Sequence, residues 1–283
     1  MDDLPYEVYK KIIKSGNILE IFEYGKSYWV GWPKFRRIHP RTPKSRLDSE
    51  QDKIRADNVK RARQKITRLI NCNPELKAFI TLTFNKEVLD LKTSNICFDR
   101  FIKRMNYLIK DFKYLAIPEF QPISKRVHYH LISNYPLPKF KNTEERHAYE
   151  QWFAKTYWKN GYVNVNSVKN IKYVGIYISK YLGKELFDPR YFKKRKFIYS
   201  RTLRQPEIIN RPEEVSNFLD YFNPDLLELV KEREFQSDRL GLIKTSIYRI
   251  NEMTEDELTN FVSLDSQEKD VDKKKDIDEI VFL

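Results

Sequence analysis

The sequence predicts an α+β protein. Its centre is an antiparallel sheet in the split β-α-β-β-α-β order, with helices on one face, a basic N-terminal extension and a helical C-terminal one. Two observations carry this. Four short segments, 77–84, 114–120, 127–132 and 162–166, are rich in β-branched and aromatic residues and bounded by turn formers. Between them apolar residues recur at the helical period: Phe98, Phe101, Ile102, Met105, Leu108 and Ile109, then Tyr149, Trp152, Phe153, Thr156 and Tyr157.

Taken in order, residues 18–24 and 27–32 alternate in short apolar runs, and Gly25-Lys26 between them reads as a hairpin turn. Residues 34–68 hold thirteen Lys/Arg against four acids. The first part, with Pro33, Pro40 and Pro43, reads as a linker, and 49–69 as a very basic helix. Such a face is either simply solvated or in contact with phosphates, and Arg61, Arg63 and Lys65 are the candidate contacts. Pro74 marks a boundary. The strand at 77–84 places Thr81 and Thr83 on one face. The helix after it has Ser94 or Thr93 as its expected N-cap. The second helix, 144–158, is expected to end at Gly161, and a third runs from 171 to about 182.

From 184 to 204 the chain is basic again, with Lys193, Lys194, Arg195, Lys196 and Arg201 among its cations. Interleaved Tyr191, Phe192, Phe197 and Tyr199 suit single-stranded nucleic acid, whose bases stack on aromatic rings. Residues 212–250 read as helical, from Val215, Phe218, Leu219 and Phe222 and then Leu226, Leu227, Leu229 and Val230. Residues 254–283 hold ten acids against four lysines and read as a mobile acidic tail. The expected organisation is therefore an N-terminal β-element, linker and helix (1–73), a core (74–210), a helical segment (211–253) and the tail (254–283).

The net charge of +13 and pI near 9.4 point to a polyanionic partner, with nucleic acid ahead of a membrane surface. No apolar run approaches the roughly 20 residues of a bilayer span, and MDDLPYEVYKK does not read as a signal peptide, so an intracellular protein is expected. Cys72 and Cys97 lack metal-binding spacing and read as buried thiols.

The chemistry is concentrated in Val127-His128-Tyr129-His130-Leu131-Ile132. Residues i and i+2 of a strand share a face, so His128 and His130 project side by side. Two of only four histidines fall here, which favours a metal site over two surface imidazoles. Glu119, at the end of the preceding strand, can approach both rings if the two strands pair. Two imidazoles and a carboxylate suit Mn²⁺ or Mg²⁺, with positions left for water and a phosphate oxygen. A second feature is Tyr177-Ile178-Ser179-Lys180-Tyr181-Leu182-Gly183-Lys184, a tandem Tyr-x-x-Lys. On a helix Tyr177 and Tyr181 are i,i+4 neighbours, as are Lys180 and Lys184. A tyrosine ionises near pH ~10 and needs a cation or a polarised phosphate beside it to attack as phenolate. On the helix alone the tyrosines read equally as core residues with snorkelling lysines.

Together these residues resemble the HUH endonucleases, in particular the two-tyrosine rolling-circle replication initiators of plasmids and single-stranded DNA phages. Phe79-Ile80-Thr81-Leu82-Thr83-Phe84 is similar to the first family motif, His128-Tyr129-His130-Leu131 to the second, and Tyr177 through Lys184 to the third. Thr202 stands where the family more often has Gly. The resemblance covers about 55–210 and implies a nickase and strand transferase. Glu119, His128 and His130 would hold the divalent ion. Tyr177 or Tyr181 would form a 5′-phosphotyrosine and leave a 3′-OH, with Lys180 and Lys184 orienting the phosphate. Single-stranded or origin-hairpin DNA is the implied substrate. No P-loop is present, so a host helicase and polymerase are the implied partners. Other readings are a transposase or relaxase of the same fold, a metal hydrolase with structural tyrosines, and a non-enzymatic single-stranded nucleic-acid-binding protein. The last would use the open sheet face as a platform of aromatics and need no metal.

Overall fold

The computed structural model describes residues 4–31, 48–121, 123–169, 174–179, 195–221 and 223–251. Lys180, Tyr181, Lys184, Lys193, Lys194 and the acidic 254–283 segment lie outside them, as does most of the proline-containing linker. The chain begins with β1 (Tyr6–Ser15), β2 (Ile18–Val30) and α1 (Asp48–Asn71). The core follows as β3 (Ala78–Phe84), α2 (Leu91–Leu108), β4 (Tyr114–Phe120), β5 (Val127–Ser133), α3 (Thr143–Phe153), β6 (Gly161–Ser167) and α4 (Val174–Ser179). Then come β7 (Ile198–Tyr199), β8 (Glu207–Ile209), α5 (Pro212–Tyr221), β9 (Leu227–Ser237) and β10 (Gly241–Ile250).

The α+β class holds. The central sheet is antiparallel with strand order β6-β3-β5-β4-β7, so its first four strands have the spatial order of the split β-α-β-β-α-β unit. β7 adds a short fifth strand on β4, inside the stretch the sequence marks only as basic. Because β7 pairs only with Leu115 and Ala116, β4 is an edge by the time it reaches Pro118. A proline without an N–H is tolerated there, and the strand continues to Glu119.

Helices cover both faces of this sheet, not one. On one face Ile80, Leu82, Tyr129, Leu131, Val163 and Val165 pack against α2 and α3. Trp158 closes this layer, fully buried against Phe84 and Phe101, with its indole N–H donating to the Thr83 carbonyl at 2.9 Å. On the other face Phe79, Leu115, Ile117 and Ile132 meet Val59, Ile66, Leu69 and Ile70 of α1 and Ile178 of α4. The reason is visible in β3 and β4, which are buried on both sides and read as continuous apolar runs rather than strict alternations. Burying each such side chain contributes about 1.5–3 kcal/mol, so an open face there would be costly.

Helix ends differ from expectation in detail. Asp90 caps α2, its carboxylate accepting from Thr93 N–H at 2.8 Å, while Ser94 is fully buried one turn in. After α3 the chain tightens into a π-helical turn, Ala154–Trp158, and the left-handed residue that ends it is Lys159 (φ 64°) rather than Gly161.

The largest correction concerns the chain's two ends. Residues 212–250 are helical only in α5, and β9 and β10 form a hairpin. These strands pair with β2 to build a second antiparallel sheet of order β8-β1-β2-β10-β9. The leucine spacing at 226–230 imitates a helix over one turn. Beyond it, Lys231-Glu232-Arg233-Glu234 alternates at period two, and Thr245, Ile247 and Tyr248 are strand formers. The exposed edge of β2 decides the matter by offering a ladder. β8 already belongs to this sheet, so the expected boundary at 210–211 falls inside it. The turn expected at Gly25-Lys26 is displaced too. It lies at Gly16-Asn17, with Gly16 at φ 59° as the first residue of a two-residue hairpin, and Gly25-Lys26 runs within β2, where Lys26 N–H bonds to the Leu240 carbonyl.

Candidate active site

Register builds the site. β5 pairs with β4 so that His128 lies opposite Glu119, and with β3 so that Thr83 faces His128 and Thr81 faces His130. Five polar side chains therefore share one end of the face that α1 and α4 leave uncovered. The strand is held from behind. Tyr129, on the opposite face, stacks on Phe98 at 4.4 Å and donates to Asn95 and Ser94, so β5 cannot roll without breaking buried bonds.

Glu119 and His130 are in direct contact, with Oε2 and Nε2 2.5 Å apart and side chains only 12% and 10% exposed. The other ring nitrogen, Nδ1, lies 3.3 Å from Thr81 Oγ1. With a proton on Nε2 the ring donates to Glu119 and accepts from Thr81. With the proton on Nδ1 it donates to Thr81, and Nε2 presents a lone pair instead. His128 differs: its Nε2 is buried and has no hydrogen-bond partner. Burial holds this imidazole far below its ordinary range, at about 4, with the neighbouring His130 and Arg126 acting in the same direction and Glu119 opposing them.

This depression has a sign. Below the unfolded value near ~6.5 the unfolded chain takes up a proton that folded His128 refuses. The stability His128 confers is complete above that pH and is lost as pH falls through about 4. Urea denaturation in EDTA between pH 7 and 4 is expected to show this loss, and His128→Asn to flatten it. An unchanged pH profile in the variant would place the titration elsewhere.

The tyrosine helix reaches the site through one ring. Phe79 stacks on His130 with centroids 5.9 Å apart and planes at 3°, and its edge meets Tyr177 at 6.0 Å and 72°. Tyr177 is half-buried on the histidine face. What sets α4 there is Gly175: a Cβ at this position would come within 2.9 Å of the Thr67 Cα, so the two helix backbones approach as only glycine permits. Sequence reasoning missed Gly175 and the bridging role of Phe79. A lone glycine in the middle of a tyrosine helix, in a chain with only seven glycines, was the available signal.

The basic candidates meet at one edge of the same face. Arg61, Arg63 and Lys65 are exposed on α1, and the Lys65 ammonium lies 5.2 Å from the Tyr199 ring of β7. Arg195 and Arg201 are exposed on either side of β7, and Lys196 is half-buried. Two basic stretches far apart in sequence are thus adjacent in space.

Among the described residues no three His, Cys, Asp or Glu side chains stand ready as a metal cage. The donor chemistry nevertheless fits one. An orphaned buried imidazole nitrogen lies next to a carboxylate–imidazole pair, and Thr81 can hold His130 in the tautomer that frees Nε2. Also among the described residues, no helix is long and apolar enough to cross a membrane.

Fold and site define an α+β protein whose antiparallel sheet sets two histidines and a glutamate beside a tyrosine-bearing helix. Residues 77–186, from β3 through the segment carrying Tyr177, match the model of the replication-associated protein family of the ORF2 and gene-2-protein type, which supports a Rep-like identity. That stretch is less than half of the chain. No curated protein and no solved structure shows a significant match.

Proposed function

We propose that the chain is a rolling-circle replication initiator that nicks single-stranded or hairpin origin DNA and rejoins it. The observation that carries this is the stack His130–Phe79–Tyr177, which fixes a nucleophile-bearing helix against the proposed metal-binding face. The reading is also supported by the match to the replication-associated family over the same residues.

Glu119, His128 and His130 would hold Mn²⁺ or Mg²⁺, which when bound polarises the scissile phosphate and offsets its growing charge. Thr81 keeps the proton of His130 on Nδ1. The hydroxyl oxygen of Tyr177 or Tyr181 attacks phosphorus and loses its proton. The P–O3′ bond breaks, and the 3′ oxygen takes up a proton to become the primer hydroxyl. The 5′ side remains on tyrosine as a phosphodiester, so its bond energy is kept. In rejoining, a 3′-OH attacks that phosphorus and the tyrosine oxygen leaves, regaining a proton. Lys180 and Lys184 orient the phosphate and stabilise the phenolate. Arg61, Arg63, Lys65, Lys193, Lys194, Arg195, Lys196 and Arg201 guide the strand toward the site. A host helicase and polymerase would extend the primer, and the setting would be intracellular.

Incubation with an origin-strand oligonucleotide and Mn²⁺ should give a protein–DNA adduct that survives denaturation. Chelation with EDTA should remove it. An adduct that forms equally well in EDTA excludes metal assistance, and no adduct with any origin strand of the parent replicon excludes the nickase.

A further inference from the structure

We propose that the second sheet carries a separate single-stranded-DNA-binding surface, on the face turned away from α5. One face of this sheet is an apolar layer in which α5 packs on Ile12, Leu19 and Ile209. The strand registers define the other. One row across it runs Phe235, Ile243, Tyr24; the next runs Arg233, Thr245, Phe22, Lys11; the third runs Lys231, Ile247, Glu20, Ile13.

β9 sorts its charges by face. Lys231 and Arg233 stand on this side and Glu232 and Glu234 on the other, where Glu232 is held by Lys244 at 3.2 Å and by Ser246 at 3.0 Å. Directly across from Lys231 and Arg233 lie Ile247 and Thr245, so no acid neutralises them within the ladder. The acids that share their face are already committed. Glu20 makes a bidentate pair with Arg68 of α1, both bonds 2.7 Å, and Glu228 pairs with Arg249. What remains is a cationic face bearing aromatic rings, with Phe235, next after Arg233 along this side of β9, still 52% exposed. Cations beside an exposed ring suit the phosphates and bases of an unpaired strand, whereas a duplex keeps its bases stacked away from such a ring. The Glu20–Arg68 pair also ties α1 to this face, and Lys65, three residues earlier, lies over Tyr199 at the edge of the histidine face. α1 thus bridges the two surfaces. The displaced strand is a natural occupant, a choice that rests on the proposed nickase; the basic surface itself does not.

The test is binding of full-length protein to a fluorescent oligo-dT strand in EDTA, where cleavage plays no part. Lys231→Gln/Arg233→Gln should weaken binding about tenfold and reduce the salt slope of log K by about 1.4, the value for two lost phosphate contacts on a single strand. Phe235→Ala should weaken oligo-dT binding about tenfold and leave a duplex of equal length unchanged. Glu234→Gln, on the opposite face, should change neither. β9 is an exposed edge strand, and an unchanged thermal melt checks that each variant folds. Oligo-dT binding within twofold of wild type in the paired variant overturns the proposal, as does an equal loss in Glu234→Gln. Loss of duplex binding alone assigns the surface to duplex and overturns the single-strand reading. Because no metal is present, failure of the nickase itself would leave this measurement untouched and show only in the adduct assay.

Discussion

Tyr177→Phe combined with Tyr181→Phe is expected to abolish the covalent protein–DNA adduct, by at least about 10³-fold in rate, as removal of a nucleophile does elsewhere. The substitution is mild for the fold. The ring of Tyr177 meets Phe79 edge-on and packs with the layer between the sheet and α1, and phenylalanine keeps those contacts. Only the hydroxyl is lost, so a surviving adduct could not be blamed on the retained fold. Each single variant is expected to keep an adduct, since the two tyrosines lie one helical turn apart and each has a lysine three residues on. Denaturing gels with a labelled strand separate the cases. An adduct that persists in the double variant would move the nucleophile elsewhere and reduce the tyrosine helix to packing.

His128→Ala is expected to remove metal-dependent cleavage to a similar extent while DNA binding stays within about tenfold. The two measurements separate because the proposed metal donors and the exposed cations of α1 and the β7 region are different side chains. His128 is the cleaner probe of the pair. Its Nε2 has no hydrogen-bond partner to strand, whereas His130→Ala would leave the nearly buried Glu119 carboxylate without its imidazole, at a cost of about 1–3 kcal/mol in stability. His130→Ala should therefore lose both cleavage and thermal stability, and His128→Ala mainly cleavage. Cleavage near wild-type rate in His128→Ala would mean that the ion, if one is needed, is held without this imidazole.

Much of the site was legible because it depends on parity and short-range pairing. A strand sends alternate side chains to opposite faces, so His128 and His130 had to be neighbours wherever the strand lay. The short turn between the two strands then brought Glu119 opposite His128. The helix that carries Tyr177 was legible as a helix, but its contact with the histidines was not. That contact runs through Phe79, which sequence pattern marks only as a core residue of a strand, and through Gly175, whose role appears once α1 passes over it.

By itself, then, the sequence determined the central sheet, the pairing of two imidazoles with a carboxylate, and the basic character of the surface, because each follows from spacing within a few residues or from composition. Tertiary structure alone decided that helices cover both faces, that the first and last described strands share a sheet, and that β9 divides its charges between two environments. These are matters of which edge finds a partner and which apolar face finds a cover. Pairing and burial of that kind join residues some two hundred positions apart, beyond the reach of any local period.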